Sequence, residues 1–176
     1  MKYIFFKYFL VLLYLISPTQ SYSIDHPKLK NLILHKEPKR LDIIEFKNKK
    51  KQTVNINNFK GKLIVLNFWA TWCVPCREEM PSLDELSMNK NFKNLTVIPV
   101  NIGKENIEKS INFFQEININ NLDIYYDKNL EIPKKLLLRG IPTTVFINKN
   151  GEEFARMIGA VDFDDKNLIN WLKKYD

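Results

Sequence analysis

The sequence is short of the residues from which small proteins build cross-links and metal centres: two cysteines and two histidines in 176 residues. Two thiols cannot make the disulfide framework of a staple-dependent secreted scaffold. Nor can they fill a structural zinc site, which takes four ligands. The histidines do not make up the shortfall, because both (His26 and His35) precede the cysteines and none follows. Glycine appears five times and arginine four, against 23 lysines and abundant asparagine, a bias that reads as the codon habit of a low-GC genome. No internal repeat or long low-complexity tract is present.

What remains is ample for one folded unit. At roughly 150 residues per domain the chain holds a single globular domain with a short attachment. A domain of that size buries about 68–70% of its unfolded surface and needs no staples. Hydrophobic residues at 45% and aromatics at 12% exclude disorder for the bulk of the chain. The formal charge of +7 is scattered, and no basic stripe carries interleaved aromatics, so nucleic acid is not among the expected partners. The one lysine-rich run, Lys47 with Lys49 to Lys51, lies between two extended segments and reads as a solvated turn.

Residues 1–23 have the plan of a secretory signal peptide. Lys2 and Lys7 form a positive start, residues 8–16 are apolar, Pro18 breaks the helix, and Ser21 and Ser23 suit a cleavage site. The apolar core is shorter than the ~20 residues of a spanning helix. Counting residues 3–6 with a snorkelling Lys7 would lengthen it into an uncleaved anchor in the inner membrane. Both outcomes put the rest of the chain outside the cytoplasm, in the periplasm. Cleavage removes two lysines and no acid, so the charge falls from +7 to +5. Residues 24–40 are polar, without a sustained period, and contain Pro27 and Pro38; they read as an irregular lead-in to a domain over 41–176.

Within that domain, residues 43–46 and 52–55 form a hairpin around the lysine-rich turn. Residues 63–68 (LIVLNF) and 95–100 are short apolar runs with the look of buried strands. Between them lies a helix after Trp72-Cys73-Val74-Pro75-Cys76, with a kink at Pro81. Ile107, Ile111, Phe114 and Ile117 recur at helical steps, which makes 105–116 an amphipathic helix. A short strand over 124–126 and a short helix over 129–138 follow. Residues 143–147 and 153–158 flank the turn Asn148-Lys149-Asn150-Gly151 as a second hairpin. Asp162 caps a last helix, paired with Asp165 as in a capping box, that ends near Tyr175. Alternating strands and helices closed by a hairpin give an α/β domain with one mixed sheet flanked by helices.

Cys73 and Cys76 stand at i and i+3 where a buried strand meets a helix. Unpaired N–H groups and the helix dipole favour a thiolate there, so Cys73 is expected to be the exposed attacker with the lower pKa. Cys76, one turn inward on the same side, is the resolving thiol that breaks a mixed disulfide. Pro75 pre-shapes the first turn. A purely structural bridge and half a metal site are the competing readings. A bridge closing so small a loop restrains little chain entropy, and no distal histidine completes a metal site.

The run LNFWATWCVPCREEMP, with RGIPTTVFINKNG far downstream, resembles the thioredoxin fold and, more closely, the exported TlpA/ResA-like thiol-disulfide oxidoreductases. The resemblance covers residues 43–175, and it implies a thioredoxin-like fold with an amino-terminal hairpin and a central helix–strand insertion within 103–138. It implies a cis peptide before Pro142, beside the cysteines, with Trp72, Ile141, Pro142 and Thr143 meeting the substrate. It implies that Glu79, three residues after Cys76, works near the thiols, where a carboxylate can take a proton during resolution. A solvated helix glutamate is the competing reading for Glu79, and Glu78 faces elsewhere. Plain thioredoxins carry a buried aspartate where this chain has Asn67, so no proton acceptor stands at that place. Residues 121–132 depart most from the family pattern.

The resemblance implies a monomer that uses no cofactor beyond the dithiol. It also implies reduction of specific protein disulfides in cytochrome c or copper-protein maturation, with apocytochrome c a candidate substrate and a membrane thiol donor as electron source. The residues themselves show only thiol-disulfide exchange. A peroxiredoxin-like peroxidase would need a Pro and Thr pattern that Ala70-Thr71-Trp72-Cys73 does not supply, and a non-enzymatic metal chaperone of related fold would need the distal histidine.

Overall fold

A computed structural model describes residues 29–176, and the signal-peptide expectation and His26 lie outside the described residues. Eight strands form one mixed sheet: β1 (Leu32–Arg40), β2 (Glu45–Asn48), β3 (Thr53–Asn55), β4 (Leu63–Trp69), β5 (Leu95–Asn101), β6 (Tyr125–Tyr126), β7 (Thr143–Ile147) and β8 (Glu152–Ile158). Their order across the sheet is β1-β8-β7-β4-β5-β6-β2-β3. Four α-helices accompany them: α1 (Val74–Ser87), α2 (Ile107–Glu116), α3 (Glu131–Lys135) and α4 (Lys166–Leu172). None of these helices is long and apolar enough to cross a membrane.

β4 is central because it is apolar on both sides. All seven of its residues are buried, between parallel β5 and antiparallel β7. Alternation along the strand then feeds two separate cores. Leu63, Val65 and Trp69 face a layer built from α1, α2 and α4, where Met80, Leu83, Phe113, Phe114, Leu168 and Trp171 pack. Ile64, Leu66 and Phe68 face Phe46, Ile56, Tyr125, Ile132 and Leu136, from the β2–β3 hairpin, β6 and α3. Asn67 is the polar interruption on the first of these faces.

The expected hairpins form. β2 pairs with β3 with Phe46 opposite Val54, and the lysine-rich turn between them is exposed. β7 pairs with β8 around a turn in which Asn148 Oδ1 accepts from the N–H groups of Asn150 and Glu152. Gly151 there has φ +82°, a left-handed conformation that suits glycine.

Three expectations need correction. Residues 24–40 are not all an irregular lead-in, because Leu32–Arg40 is the edge strand β1, antiparallel to β8. An edge strand with one neighbour and mostly exposed side chains has no apolar period to announce it. Its register shifts between Leu34 and Lys39, a bulge that takes in Pro38, which has no N–H for the ladder. The last helix is capped by Asp165, whose carboxylate accepts from the N–H groups of Asn167 and Leu168, and not by Asp162. Asp162 instead accepts from Asp164 N–H in the preceding turn. The short helix expected over 129–138 is only α3, closed at each end by a leucine with positive φ, Leu130 at 56° and Leu137 at 52°. At Pro81, which lacks the N–H that would bond to the Arg77 carbonyl, α1 runs on without a break.

Candidate active site

The end of β4 delivers the chain to the cysteines. Cys73 N–H donates to Ala70 O at 3.2 Å, turning the chain so that Cys73 becomes the N-cap of α1, with Pro75 in the first turn. Cys73 and Cys76 are joined in a disulfide with their Cα atoms 5.3 Å apart. Cys76 is fully buried, and Cys73 is 5% exposed, far less open than an exposed attacker was expected to be. Its neighbours Trp72 and Val74 are 65% and 63% exposed, so the apolar surface around Cys73 is open although the sulfur is recessed. Trp69 and Phe68 belong to the core.

Two contacts tie the inserted region to this loop. Glu105, just ahead of α2, accepts from both the N–H and the hydroxyl of Thr71. The approach needs Gly103, where a Cβ would run into the Glu105 carboxylate and the Ala70 Cβ. Arg77 donates to Thr71 O, pairs with Glu116 of α2 at 3.2 Å, and stacks over Phe113 at 4.6 Å.

The Ile141–Pro142 peptide is cis. The register sets Thr143 opposite Phe68, so this peptide borders the end of β4, and Ile141 packs against the cluster that contains both cysteines. Among the described residues, neither the N–H nor the C=O of Ile141 enters a backbone hydrogen bond. The Thr143 side chain is buried and its hydroxyl donates to Gly140 O at 2.7 Å, which fastens the loop.

Glu79 is not a solvated helix residue. It is 3% exposed and points into the sheet, where its Oε1 accepts from Asn67 Nδ2 at 2.7 Å and its Oε2 from Val161 N–H at 2.9 Å. Burial pushes its carboxyl up from 4.5 to about 7, against the smaller opposing effect of those two hydrogen bonds. Asn67 also donates to Thr144 Oγ1 at 3.0 Å, across the β4–β7 pair in which these residues stand opposite one another. A proton acceptor therefore does stand beside position 67, supplied from α1. The sequence signal for this cluster was a single amide inside an otherwise apolar strand.

Glu79 also lines a cleft of about 360 Å³ between α1 and the segment after β8. Glu78, Glu85, Asp162 and Asp164 line it too, and neither cysteine does. Burial, helped by Glu85 and Asp162, raises the Asp164 carboxyl. No group of three or more His, Cys, Asp or Glu among the described residues could hold a metal ion.

Comparison with known proteins agrees with this geometry. The family model described as Redoxin matches residues 28–168. A thiol-disulfide oxidoreductase ResA of Oceanobacillus iheyensis is 34% identical over 113 residues, 64% of this chain and 57% of that protein. The ResA of Bacillus thuringiensis subsp. konkukian is 29% identical over 147 residues, covering 84% of this chain and 81% of its own. Among solved structures, a DsbF homologue from Corynebacterium diphtheriae superposes with a TM-score of 0.71 at 24% identity, over 85% of this chain and 96% of the other.

Proposed function

The chain belongs to the Redoxin family and is a thiol-disulfide oxidoreductase of the thioredoxin superfamily; from that premise we propose that it works outside the cytoplasm as a reductant of protein disulfides. The observation that carries the reading is the Cys73–Cys76 pair at the start of α1, with the Glu79 carboxyl buried one helical turn beyond Cys76 and hydrogen-bonded to Asn67 and Val161. In the reduced protein, the Cys73 thiolate at the amino end of α1 attacks a sulfur of the partner's disulfide and expels the other as a thiolate. Cys76 gives its proton to Glu79 and attacks Cys73, which releases the partner as a dithiol and leaves the Cys73–Cys76 disulfide. Ile141 offers its backbone to an extended substrate strand, and Trp72 and Val74 give that strand an apolar surface.

A membrane thiol donor then restores the dithiol. The substrate class is an exported protein whose cysteines must be kept reduced for metal or haem attachment, such as apocytochrome c. The positive and apolar start of the chain supports action outside the cytoplasm. In the native host, alkylation trapping is expected to find Cys73 and Cys76 mostly reduced; a mostly oxidised pair would make the protein an oxidant. The reduced domain is expected to reduce insulin and a disulfide-bonded C-x-x-C-H peptide, and Cys73→Ser to abolish both activities. Full activity in that variant would overturn the mechanism.

A further inference from the structure

One atom of the buried polar cluster has no partner: Asn67 Oδ1, fully enclosed, accepts no hydrogen bond. Both amide hydrogens of Asn67 are committed, one to Glu79 Oε1 and one to Thr144 Oγ1. Glu79 Oε2 receives Val161 N–H. The Glu79 carboxyl thus meets donors only, an arrangement that suits its ionised form. When Glu79 takes a proton it becomes a donor itself and needs an acceptor.

We propose that the Asn67 carboxamide serves both protonation states of Glu79: it donates to the carboxylate and, after a half-turn about its Cβ–Cγ bond, accepts from the carboxylic acid through Oδ1. The proposal rests on reading Glu79 as the group that receives the Cys76 proton. The half-turn exchanges an oxygen and a nitrogen of nearly equal size, so the packing around them is unchanged. Thr144 follows, because a hydroxyl donates as readily as it accepts. One amide atom lacks a partner in each orientation, Oδ1 in the first and Nδ2 in the second, so unmatched groups favour neither state. An aspartate at 67 would set a second negative charge against Glu79, and an apolar residue would match neither form.

The amide acts at one moment of the reaction. The Cys76 S–H bond breaks and its proton forms the Glu79 O–H bond. The Cys76 sulfur then attacks Cys73 Sγ, and the partner's sulfur leaves with the electron pair of the broken S–S bond. Two electrons have passed from the dithiol to the partner's disulfide. Glu79 returns its proton to water through the cleft it lines. The charged groups that share the cleft with Glu79 are Glu78 and Glu85 on α1 and Asp162 and Asp164 after β8, all of them acids. β4 and β7 present only neutral Asn67 and Thr144, and Arg77 on α1 is turned to Thr71 and Glu116. With no cation at the carboxyl, the amide is the group that matches its proton.

NMR of the oxidised domain tests the turn without any substitution. Across the Glu79 titration the Asn67 side-chain N–H signals are expected to shift at the same midpoint as the Glu79 carboxyl carbon, and their contacts to Thr144 to change. Asn67 signals that stay constant through that midpoint overturn the proposal. Kinetics supply a second readout. Reduced protein treated with a dithiobis-nitrobenzoate releases one coloured thiol on Cys73 attack and a second on Cys76 resolution. Asn67→Leu is expected to slow the second release at least about tenfold and leave the first unchanged. Wild-type rates in both phases overturn the proposal. A Glu79→Gln variant with a wild-type second phase would instead remove Glu79 from the mechanism, while the coupled NMR titration would still report the amide's turn.

Discussion

Two glutamates of this domain are almost equally buried and do opposite things with their charge. Glu79 is 3% exposed and Glu153 is 1% exposed. Around Glu79 the donors are neutral, an amide and a backbone N–H, and burial pushes the carboxyl up to about 7. Around Glu153 burial pushes the same way, yet hydrogen bonds and charge from Arg156 and His35 outweigh it and hold the carboxyl below its usual value. Arg156 binds both carboxylate oxygens, at 2.6 and 2.8 Å, and His35 Nε2 lies 2.7 Å from Oε1. Burial alone therefore does not raise a carboxyl's pKa. It does so where no counter-charge opposes it, and this separates the Cys73–Cys76 end of the sheet from the β1–β8 edge, where Glu153 holds His35 of the amino-terminal strand.

The largest expected break in this comparison comes from Arg156→Ala. It leaves Glu153 buried without its cation and should cost about 3–5 kcal/mol in denaturant unfolding at pH 7. The lost stability should partly return as the pH falls and Glu153 protonates, while wild type shows the reverse. In wild type the folded carboxyl is depressed, so its contribution is present above its unfolded pKa of about 4.5 and lost as pH falls further.

Glu79→Gln should have the next largest effect, with the opposite slope. The folded carboxyl binds its proton more tightly than the unfolded one, so its contribution is fully present below about 4.5 and is lost as pH rises to about 7. Relative to Glu79→Gln, wild type should therefore lose up to about 3 kcal/mol of stability across that window and nothing further above it. Parallel stability curves for the two proteins would mean that Glu79 is not a strained acid, and the contrast with Glu153 would collapse.

Sequence and structure divide these two sites unevenly. The Cys73–Cys76 pair and its place at the start of α1 could be read from the chain, because a short motif between a buried strand and a helix fixes its own local geometry; the cis bond before Pro142 was expected only from the family resemblance, and the fold bears it out. The two hairpins and the central strands were legible because turn residues and short continuous apolar runs are local signals. β1 was not, since an edge strand stabilised by Glu153 and a ladder to β8 leaves no pattern within its own nine residues. The cap of α4 was misplaced because two aspartates three residues apart compete for one role, and only the turn at Asp162 decides between them.

Asn67 shows the division most clearly. In the sequence it marks the loss of an acid, and the glutamate twelve residues later could equally have faced solvent. The chain itself determined the dithiol, the fold class and the exchange chemistry, all of which depend on neighbours in sequence. Tertiary structure decided that Glu79 is buried against Asn67 and Val161, and Glu153 against Arg156 and His35. A carboxyl's charge is set by the dielectric and the partners around it, and for both glutamates some of those partners are brought from strands and loops far along the chain.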